Sequence, residues 1–248
     1  MNRLAPCAVA VCLALSGCAE MNRTTRVELP TLLDLCETHQ TDKCPYHHGY
    51  VEFYDKLFSP LRSEARKVFE IGVLRGESMR LWEAYFPRAE IYGIDIKDTS
   101  EHDSDRISTA IADQASRSDL HQLIEQIGGD FDIIIDDGGH TMEQQQISFG
   151  ALFPHLKAGG LYVIEDIHTS FFGPRYGVEP NGQNSTFAMI QGWFAEKEFQ
   201  SQYLEPEEIQ YLVENVSHCL YWTRANEHRS DLFVCWKKQS RDSGAPTF

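Results

Sequence analysis

The chain has 248 residues, which suits one α/β domain with a buried core, and its 42% apolar and 24% charged residues are typical of a globular protein. Its 37 acidic residues outnumber its 22 lysines and arginines, so the formal net charge is −15. Such an acidic chain repels phosphate backbones, and it has no Lys/Arg cluster that would overcome this, so we expect no nucleic-acid partner.

The N-terminal residues contain an apolar stretch, Leu4–Leu15, between Arg3 and the sequence Leu-Ser-Gly-Cys that ends at Cys18. Its length is typical of the apolar part of a secretory signal and too short for a stable transmembrane helix. The ending resembles a bacterial lipobox, which predicts a lipid on Cys18 as the only membrane attachment. The alternative is that translation starts at Met21, which would remove residues 1–20.

Residues 21–62 are predicted to form an N-terminal helical extension, because their apolar side chains recur at helical spacing. These side chains are Leu32, Leu33, Leu35, Val51, Phe53, Tyr54, Leu57 and Phe58. The segment around Lys43, His48 and Tyr50 predicts either a lid that folds over a ligand or an ordinary packed helix.

Residues 63–240 are predicted to form one domain in which strands and helices alternate. The predicted strands are Lys67–Ile71, Ile91–Ile94, Ile107–Ile111, Phe131–Ile135 and Gly160–Ile164, and the helices are Ser78–Phe86, Arg117–Ile127, Glu143–Leu156 and Ser185–Lys197. This alternation predicts an α/β fold with a Rossmann-like, doubly wound, mostly parallel sheet, in which ligands bind beyond the carboxyl ends of the strands. Two late strands, Val216–Thr223 and Asp231–Lys237, flank a polar turn and predict a C-terminal antiparallel hairpin.

The first predicted strand runs into a loop that contains Glu70, Gly72 and Gly76. Two glycines let the backbone turn sharply and approach a ligand closely. The loop lacks the second glycine of a nicotinamide-binding fingerprint. Its acid-x-Gly-x-x-x-Gly spacing instead resembles the first motif of class I methyltransferases, and the alternative is a plain strand-to-helix turn.

Two further strand ends carry polar residues at positions typical of a nucleotide site. Asp95 ends the second strand, where an acid can accept hydrogen bonds from both ribose hydroxyls, although a turn or helix-cap aspartate is the alternative. Asp113 and Gln114 follow the third strand, where the methyltransferase layout places an acid against the adenine amine. We therefore predict a binding site for S-adenosylmethionine (SAM) formed by Glu70, Gly72, Gly76, Asp95, Asp113, Gln114 and Asp136.

Acidic residues also end the fourth and fifth strands. Asp136 and Asp137 lead into His140, and Glu165 is followed by Asp166. If these strands are neighbours, they lie ~4.8 Å apart, and four converging carboxylates raise each other's pKa or require a cation. Oxygen ligands favour magnesium, with manganese or calcium left open, whereas zinc prefers more nitrogen or sulfur. The alternative is that some of these acids only cap helices or accept from backbone amides.

Taken together, residues 40–170 resemble the metal-dependent sugar O-methyltransferases of macrolide biosynthesis. The resemblance is carried by Thr41-Asp42-Lys43, His48-Gly49-Tyr50, Glu70–Val73, Ile91–Asp95, Ile134–His140 and Gly159–Asp166. It implies SAM-dependent methylation of a hydroxyl on a sugar or a sugar-containing small molecule. It also implies that Asp137, Glu165 and Asp166 hold Mg²⁺ and that His140 is the general base. Gly139 departs from the Ser or Thr usual in the family. These relatives also carry a long N-terminal auxiliary domain, so the size of the acceptor and a homo-oligomeric state are left open.

Two other functions stay open. If Cys18 carries a lipid, the chain is a membrane-anchored binding lipoprotein with a vestigial methyltransferase fold. An enzyme of the same fold that methylates a catechol-like diol is the second alternative. We favour a cytoplasmic protein that starts at Met21, because SAM is made and held in the cytoplasm.

The cysteines of the predicted domain and extension fit no zinc-binding spacing. Cys36 could pair with Cys44, and Cys219 with Cys235 on a neighbouring strand, or all four could be small apolar residues.

Overall fold

A seven-stranded sheet forms the centre of the protein, whose computed structural model describes residues 29–224 and 230–239. The strands are β1 Lys67–Ile71, β2 Glu90–Asp95, β3 Ile107–Ile111, β4 Phe131–Asp136, β5 Leu156–Glu165, β6 Val216–Arg224 and β7 Ser230–Lys237. Their order is β3-β2-β1-β4-β5-β7-β6. The first five are parallel, and β7 runs antiparallel to both β5 and β6. The predicted Rossmann-like sheet with a C-terminal antiparallel hairpin is confirmed.

Seven α-helices accompany the sheet in the described residues: α1 Leu32–Leu35, α2 Val51–Phe58, α3 Glu77–Tyr85, α4 Arg117–Ile127, α5 Met142–Leu152, α6 Thr186–Glu196 and α7 Pro206–Asn215. Short 3-10 helices occur at Ser100–His102, Phe153–His155, Ile167–Phe171 and Gly173–Tyr176. The helix expected over Glu143–Leu156 ends early, because Pro154 lacks the N–H that an α-helix needs. The sequence analysis missed α7.

The extension is less helical than its apolar pattern predicted. Only α1 and α2 form there, and the chain between them follows turns. Gly49 has φ +71°, and a Cβ at this position would lie 1.8 Å from an Arg224 nitrogen, so the turn before α2 requires glycine. Side chains of α2 pack on the sheet beside α3, where Tyr54 stacks on Phe58 with ring centroids 4.8 Å apart.

The sheet is buried on both faces. Along β4, Ile133 and Ile135 join the apolar cluster that includes α2 and α3, whereas Ile134 joins the cluster on the opposite face with α4, α5 and α6. All three are fully buried. Burial on both faces explains why this strand is continuously apolar in sequence. This burial also fixes the position of the strand's carboxyl end, where the polar residues of the site begin.

All four cysteines of the described residues form disulfides. Cys36 pairs with Cys44, and Cys219 pairs with Cys235, its direct neighbour in the β6–β7 register. Across 29–224 and 230–239, no helix is long and apolar enough to cross a membrane. The predicted signal segment, Cys18, Met21 and most of the hairpin turn lie outside the described residues.

Candidate active site

A cavity of ≈ 470 Å³ opens at the carboxyl ends of β1 to β4. This volume is typical of a small-molecule site. The predicted residues that line it are Gly72, Asp95, Asp113, Gln114, Asp137 and His140. Gln40, Thr41 and Asp42 of the extension line it as well. The cavity therefore joins the predicted cofactor positions to part of the predicted acidic centre.

The glycine loop after β1 has a conformation that requires glycine. Gly72 has φ +93°, and a Cβ there would lie 2.1 Å from the Asp137 carbonyl oxygen. The absence of a side chain therefore lets the β1 and β4 tips approach each other beside the cavity. Gly76 has φ +70° and precedes α3 as its N-cap, where a Cβ would meet the His102 ring at 2.7 Å. Gly76 shapes the turn without lining the cavity.

Asp95 fixes the same loop from the end of β2. Its Oδ2 accepts hydrogen bonds from the backbone N–H groups of Val73 at 3.1 Å and Leu74 at 3.0 Å. Its Oδ1 accepts from the Lys97 N–H at 3.1 Å. The turn role that we weighed for this aspartate is thus present, and the carboxylate also lines the cavity.

Gln114 and Asp136 connect the tips of β3 and β4. The Gln114 Nε2 donates to Asp136 Oδ1 at 3.0 Å, and its Oε1 accepts from the Gly139 N–H at 2.7 Å. Asp136 is fully buried, does not line the cavity, and accepts further hydrogen bonds from the hydroxyls of Ser148 and Tyr162. Burial raises the pKa of Asp136 to about 6.

Glu70 lies beneath the cavity and does not line it. Its fully buried carboxylate accepts from the Ser78 hydroxyl at 2.8 Å and from the Trp82 indole N–H at 3.1 Å. Burial raises the pKa of Glu70. Glu70, which we predicted to bind the cofactor, therefore contacts Ser78 and Trp82 of α3 and does not reach the cavity.

The acidic centre brings His140 between two carboxylates. Its Nε2 lies 3.5 Å from Asp166 Oδ2 and 3.9 Å from Asp137 Oδ1. One ligand atom from each of these three residues lies within 4.8 Å of the other two. The His140 Nδ1 is buried and makes no hydrogen bond to any described residue. Burial lowers the pKa of His140, so the ring is neutral at pH 7.

Glu165 lies beside this group, with both carboxylate oxygens already contacted. Oε1 accepts from the Tyr54 hydroxyl at 2.6 Å, and Oε2 accepts from the Lys43 ammonium at 3.0 Å. Burial raises the pKa of Glu165 to about 8. The neighbouring Asp166 uses its Oδ1 to accept from the Tyr50 hydroxyl at 2.6 Å. Burial alone would raise the pKa of Asp166, but the nearby histidines outweigh it and lower that pKa.

Sequence reasoning did not assign these three extension residues to the acidic centre. Tyr50 and Tyr54 are four residues apart, so both point from one face of α2, and this spacing is a signal that was available. The Lys43 ammonium contacts Asp137 and Glu165, which are 94 and 122 residues away along the chain. No local sequence pattern predicts a pairing at such separations.

The sheet order, the glycine loop after β1 and the cavity at the strand ends have the arrangement of the Rossmann-like methyltransferase fold. Residues 69–167 match the family model described as "Methyltransferase domain". This match ends at the strand tips that carry Glu165 and Asp166.

Several sugar O-methyltransferases are similar to this chain. It is 40% identical over 161 residues to the mycinamicin VI 2''-O-methyltransferase of Micromonospora griseorubida, a match that covers 62% of this chain and 40% of that protein. It is 41% identical over 155 residues to the demethylmacrocin O-methyltransferase of Streptomyces fradiae, covering 60% of this chain and 39% of that one. The matched regions thus cover well under half the length of these relatives. The predicted resemblance to metal-dependent, macrolide-type sugar O-methyltransferases is confirmed.

A solved structure agrees with these matches. The methyltransferase MycE from mycinamycin biosynthesis, in complex with Mg, S-adenosylhomocysteine (SAH) and mycinamycin VI, aligns with a TM-score of 0.71 at 31% identity. The alignment covers 88% of this chain and 57% of MycE.

Proposed function

We propose that the protein is a SAM-dependent O-methyltransferase that methylates a hydroxyl of a sugar or sugar-containing small molecule with the help of Mg²⁺ or a similar divalent cation. The observation that carries the proposal is the composition of one cavity. Gly72, Asp95 and Asp113 line it together with Asp137 and His140, so a nucleoside site and a proton acceptor share one space. The complex of MycE with Mg, SAH and mycinamycin VI supports the same arrangement here.

In this proposal the cofactor's nucleoside lies along the wall formed by Asp95 and Asp113. An acid at the end of the second strand suits the ribose hydroxyls, and Gly72 lets the backbone approach the ligand closely. Asp95 already orients the loop amides of Val73 and Leu74, so it would hold the wall and the ribose together.

Asp137, Glu165 and Asp166 are the proposed metal ligands. Their donor atoms are carboxylate oxygens, which magnesium prefers. Asp137 and Asp166 each have one oxygen near His140, and the candidate ligand atoms of Asp137, His140 and Asp166 lie within 4.8 Å of one another. Glu165 would share its carboxylate with the Lys43 ammonium. When bound, the ion supplies Lewis-acid polarisation that lowers the pKa of an acceptor hydroxyl.

His140 is the proposed general base. A neutral imidazole can accept the hydroxyl proton, and burial keeps this ring neutral at pH 7. A vicinal diol suits the site, because one of its oxygens can lose a proton at His140 while the second helps to orient the acceptor. Alignment of the methyl group with the attacking oxygen contributes much of the remaining rate.

We propose a cytoplasmic location, because the cofactor is supplied there. Disulfides are more typical of oxidising compartments, and the pairs Cys36–Cys44 and Cys219–Cys235 support the alternative of an exported lipoprotein modified at Cys18. The mass of the mature N-terminus and the thiol state of protein isolated under alkylation distinguish the two locations.

The test of the proposal is methyl transfer from labelled SAM to glycosides with a vicinal diol, with a catechol as the competing acceptor, in Mg²⁺ and in chelator. We expect transfer to the glycosides that depends on metal. The His140→Ala variant should lose transfer but bind SAH as the wild type does, and His155→Ala, in the 3-10 helix before β5, is the control. Methyl transfer that survives strong chelator contradicts the metal role. Transfer to catechol alone favours a catechol-like diol O-methyltransferase. Failure to bind SAH contradicts the cofactor assignment.

A further inference from the structure

The acidic centre contains a cation that belongs to the chain itself. Lys43 is fully buried. Its ammonium donates to Asp137 Oδ2 and to Glu165 Oε2, the latter at 3.0 Å, and lies 3.5 Å from Glu70 Oε1. A buried ammonium is stable only where carboxylates compensate its charge, and here the tips of three neighbouring strands supply them.

The two carboxylate oxygens of Asp137 face two different neighbours, Lys43 and His140. Oδ2 accepts from the ammonium, and Oδ1 lies 3.9 Å from His140 Nε2. The contact with the ammonium therefore fixes which oxygen of Asp137 faces His140.

A disulfide and backbone hydrogen bonds hold Lys43 in place. The neighbouring Cys44 is fully buried and joined to Cys36, and the Lys43 N–H donates to the Thr41 hydroxyl at 3.1 Å. The Lys43 carbonyl accepts from the Val51 N–H at 3.1 Å, where α2 begins. The ammonium is thus presented by a constrained turn, and its position is not that of a loosely tethered surface lysine.

We propose that Lys43 is a positioning residue that acts as a built-in counter-charge of the acidic centre, orienting Asp137 and limiting how tightly the centre binds a divalent cation. This inference rests on the proposed function, since it takes the centre to be a metal site. Like charges repel strongly at these distances inside a protein, so an ammonium beside the ligand carboxylates weakens cation binding. An ion held with moderate affinity can exchange with each turnover, whereas uncompensated carboxylates would hold it tightly.

The experiment measures Mn²⁺ binding by calorimetry in SAH-saturated protein at pH 8, with no acceptor present. Lys43→Met and Lys43→Gln remove the charge, and Lys43→Arg keeps it. The control is Lys157→Met, which removes an equal charge from an ion pair with Asp132 at the opposite end of β4 and β5. We expect both charge-free variants to bind Mn²⁺ on the order of tenfold more tightly than wild type, while Lys43→Arg and Lys157→Met stay near wild type.

A role that is only structural predicts the opposite sign, because a disordered site binds metal less tightly. Unchanged or weaker Mn²⁺ binding in the charge-free variants overturns the proposal. If these variants unfold in chelator, their thermal melting is measured at increasing Mn²⁺ concentrations. Refolding at a lower Mn²⁺ concentration than the one that stabilises wild type supports the counter-charge. Variants that do not refold overturn it. Wild-type protein that binds no Mn²⁺ contradicts the metal part of the proposed function instead, so the two failures are distinguishable.

Discussion

Asp136→Asn tests both the electrostatics of the β4 tip and the assignment of this residue to the cofactor site. Asp136 is fully buried and accepts hydrogen bonds only from neutral donors, so nothing compensates its charge directly. Asparagine keeps Oδ1 for Gln114 and Gly138. Its Nδ2 would face the hydroxyls of Ser148 and Tyr162, which can also accept.

The magnitude follows from the pKa of Asp136. Burial raises it from 3.8 to about 6. This difference of ~2 units corresponds to ~3 kcal/mol. Because the folded state retains the proton more strongly than the unfolded chain, stability falls as pH rises from about 4 to above 6. Asparagine has no such penalty, so its free energy of unfolding relative to wild type should increase by ~3 kcal/mol between pH 4 and pH 8.

The assay is urea unfolding at a series of pH values in chelator, with the exposed Asp105→Asn as a control for the loss of one negative charge. A difference between Asp136→Asn and wild type that does not change with pH refutes the reasoning. Calorimetry with SAH completes the test. Since Asp136 does not line the cavity, we expect SAH affinity to stay within about threefold of wild type, and a loss of ~1.4 kcal/mol or more would indicate direct contact with the cofactor.

Three further predictions concern the site and its framework. His140→Ala should lower kcat by a factor of about 10²–10⁴ and leave SAH affinity unchanged. Because burial lowers the His140 pKa, the rise of wild-type kcat/KM with pH should lie below pH 6.5. Asp95→Ala should weaken SAH binding by at least tenfold in calorimetry, because the Val73 and Leu74 amides lose their acceptor; unchanged binding would contradict that role. Replacing Cys219 and Cys235 by serine opens a link between residues 16 apart and should lower the unfolding free energy by ~3 kcal/mol relative to disulfide-bonded wild type, measured by chemical denaturation.

The central strands were predictable because they are short, mostly apolar runs buried on both faces. Phe131–Ile135 is followed directly by Asp136 and Asp137, and Lys67–Ile71 is followed by Gly72. The helix α7 was missed although Ile209, Leu212 and Val213 recur at helical spacing, and Leu212 is its only fully buried side chain. Its N-terminal cues were present: Pro206 occupies the first turn, and Glu205 and Glu208 form the capping box.

The grouping of polar residues around the cavity and in the acidic centre was predictable from strand ends alone, since carboxyl ends of parallel strands meet at one edge of the sheet. What each side chain contacts was not. Asp95 accepts from loop amides, and Asp136 accepts from Gln114, although both looked like ligand-binding acids in sequence. A strand-end acid satisfies whichever donors the neighbouring tips present, and those donors depend on register and on turns that periodicity does not specify.

The predicted boundary between an extension at 21–62 and a domain at 63–240 lies between residues that contact one another in the acidic centre. Three residues before position 63 contact carboxylates at the tips of β4 and β5: Lys43, Tyr50 and Tyr54. A fragment without the extension would keep the walls around Asp95 and Asp113 but would remove the ammonium and hydroxyl donors that Glu165 contacts. The extension is therefore a structural part of the acidic centre: the tips of β4 and β5 supply its carboxylates, and the extension supplies the ammonium and hydroxyl groups that donate to them.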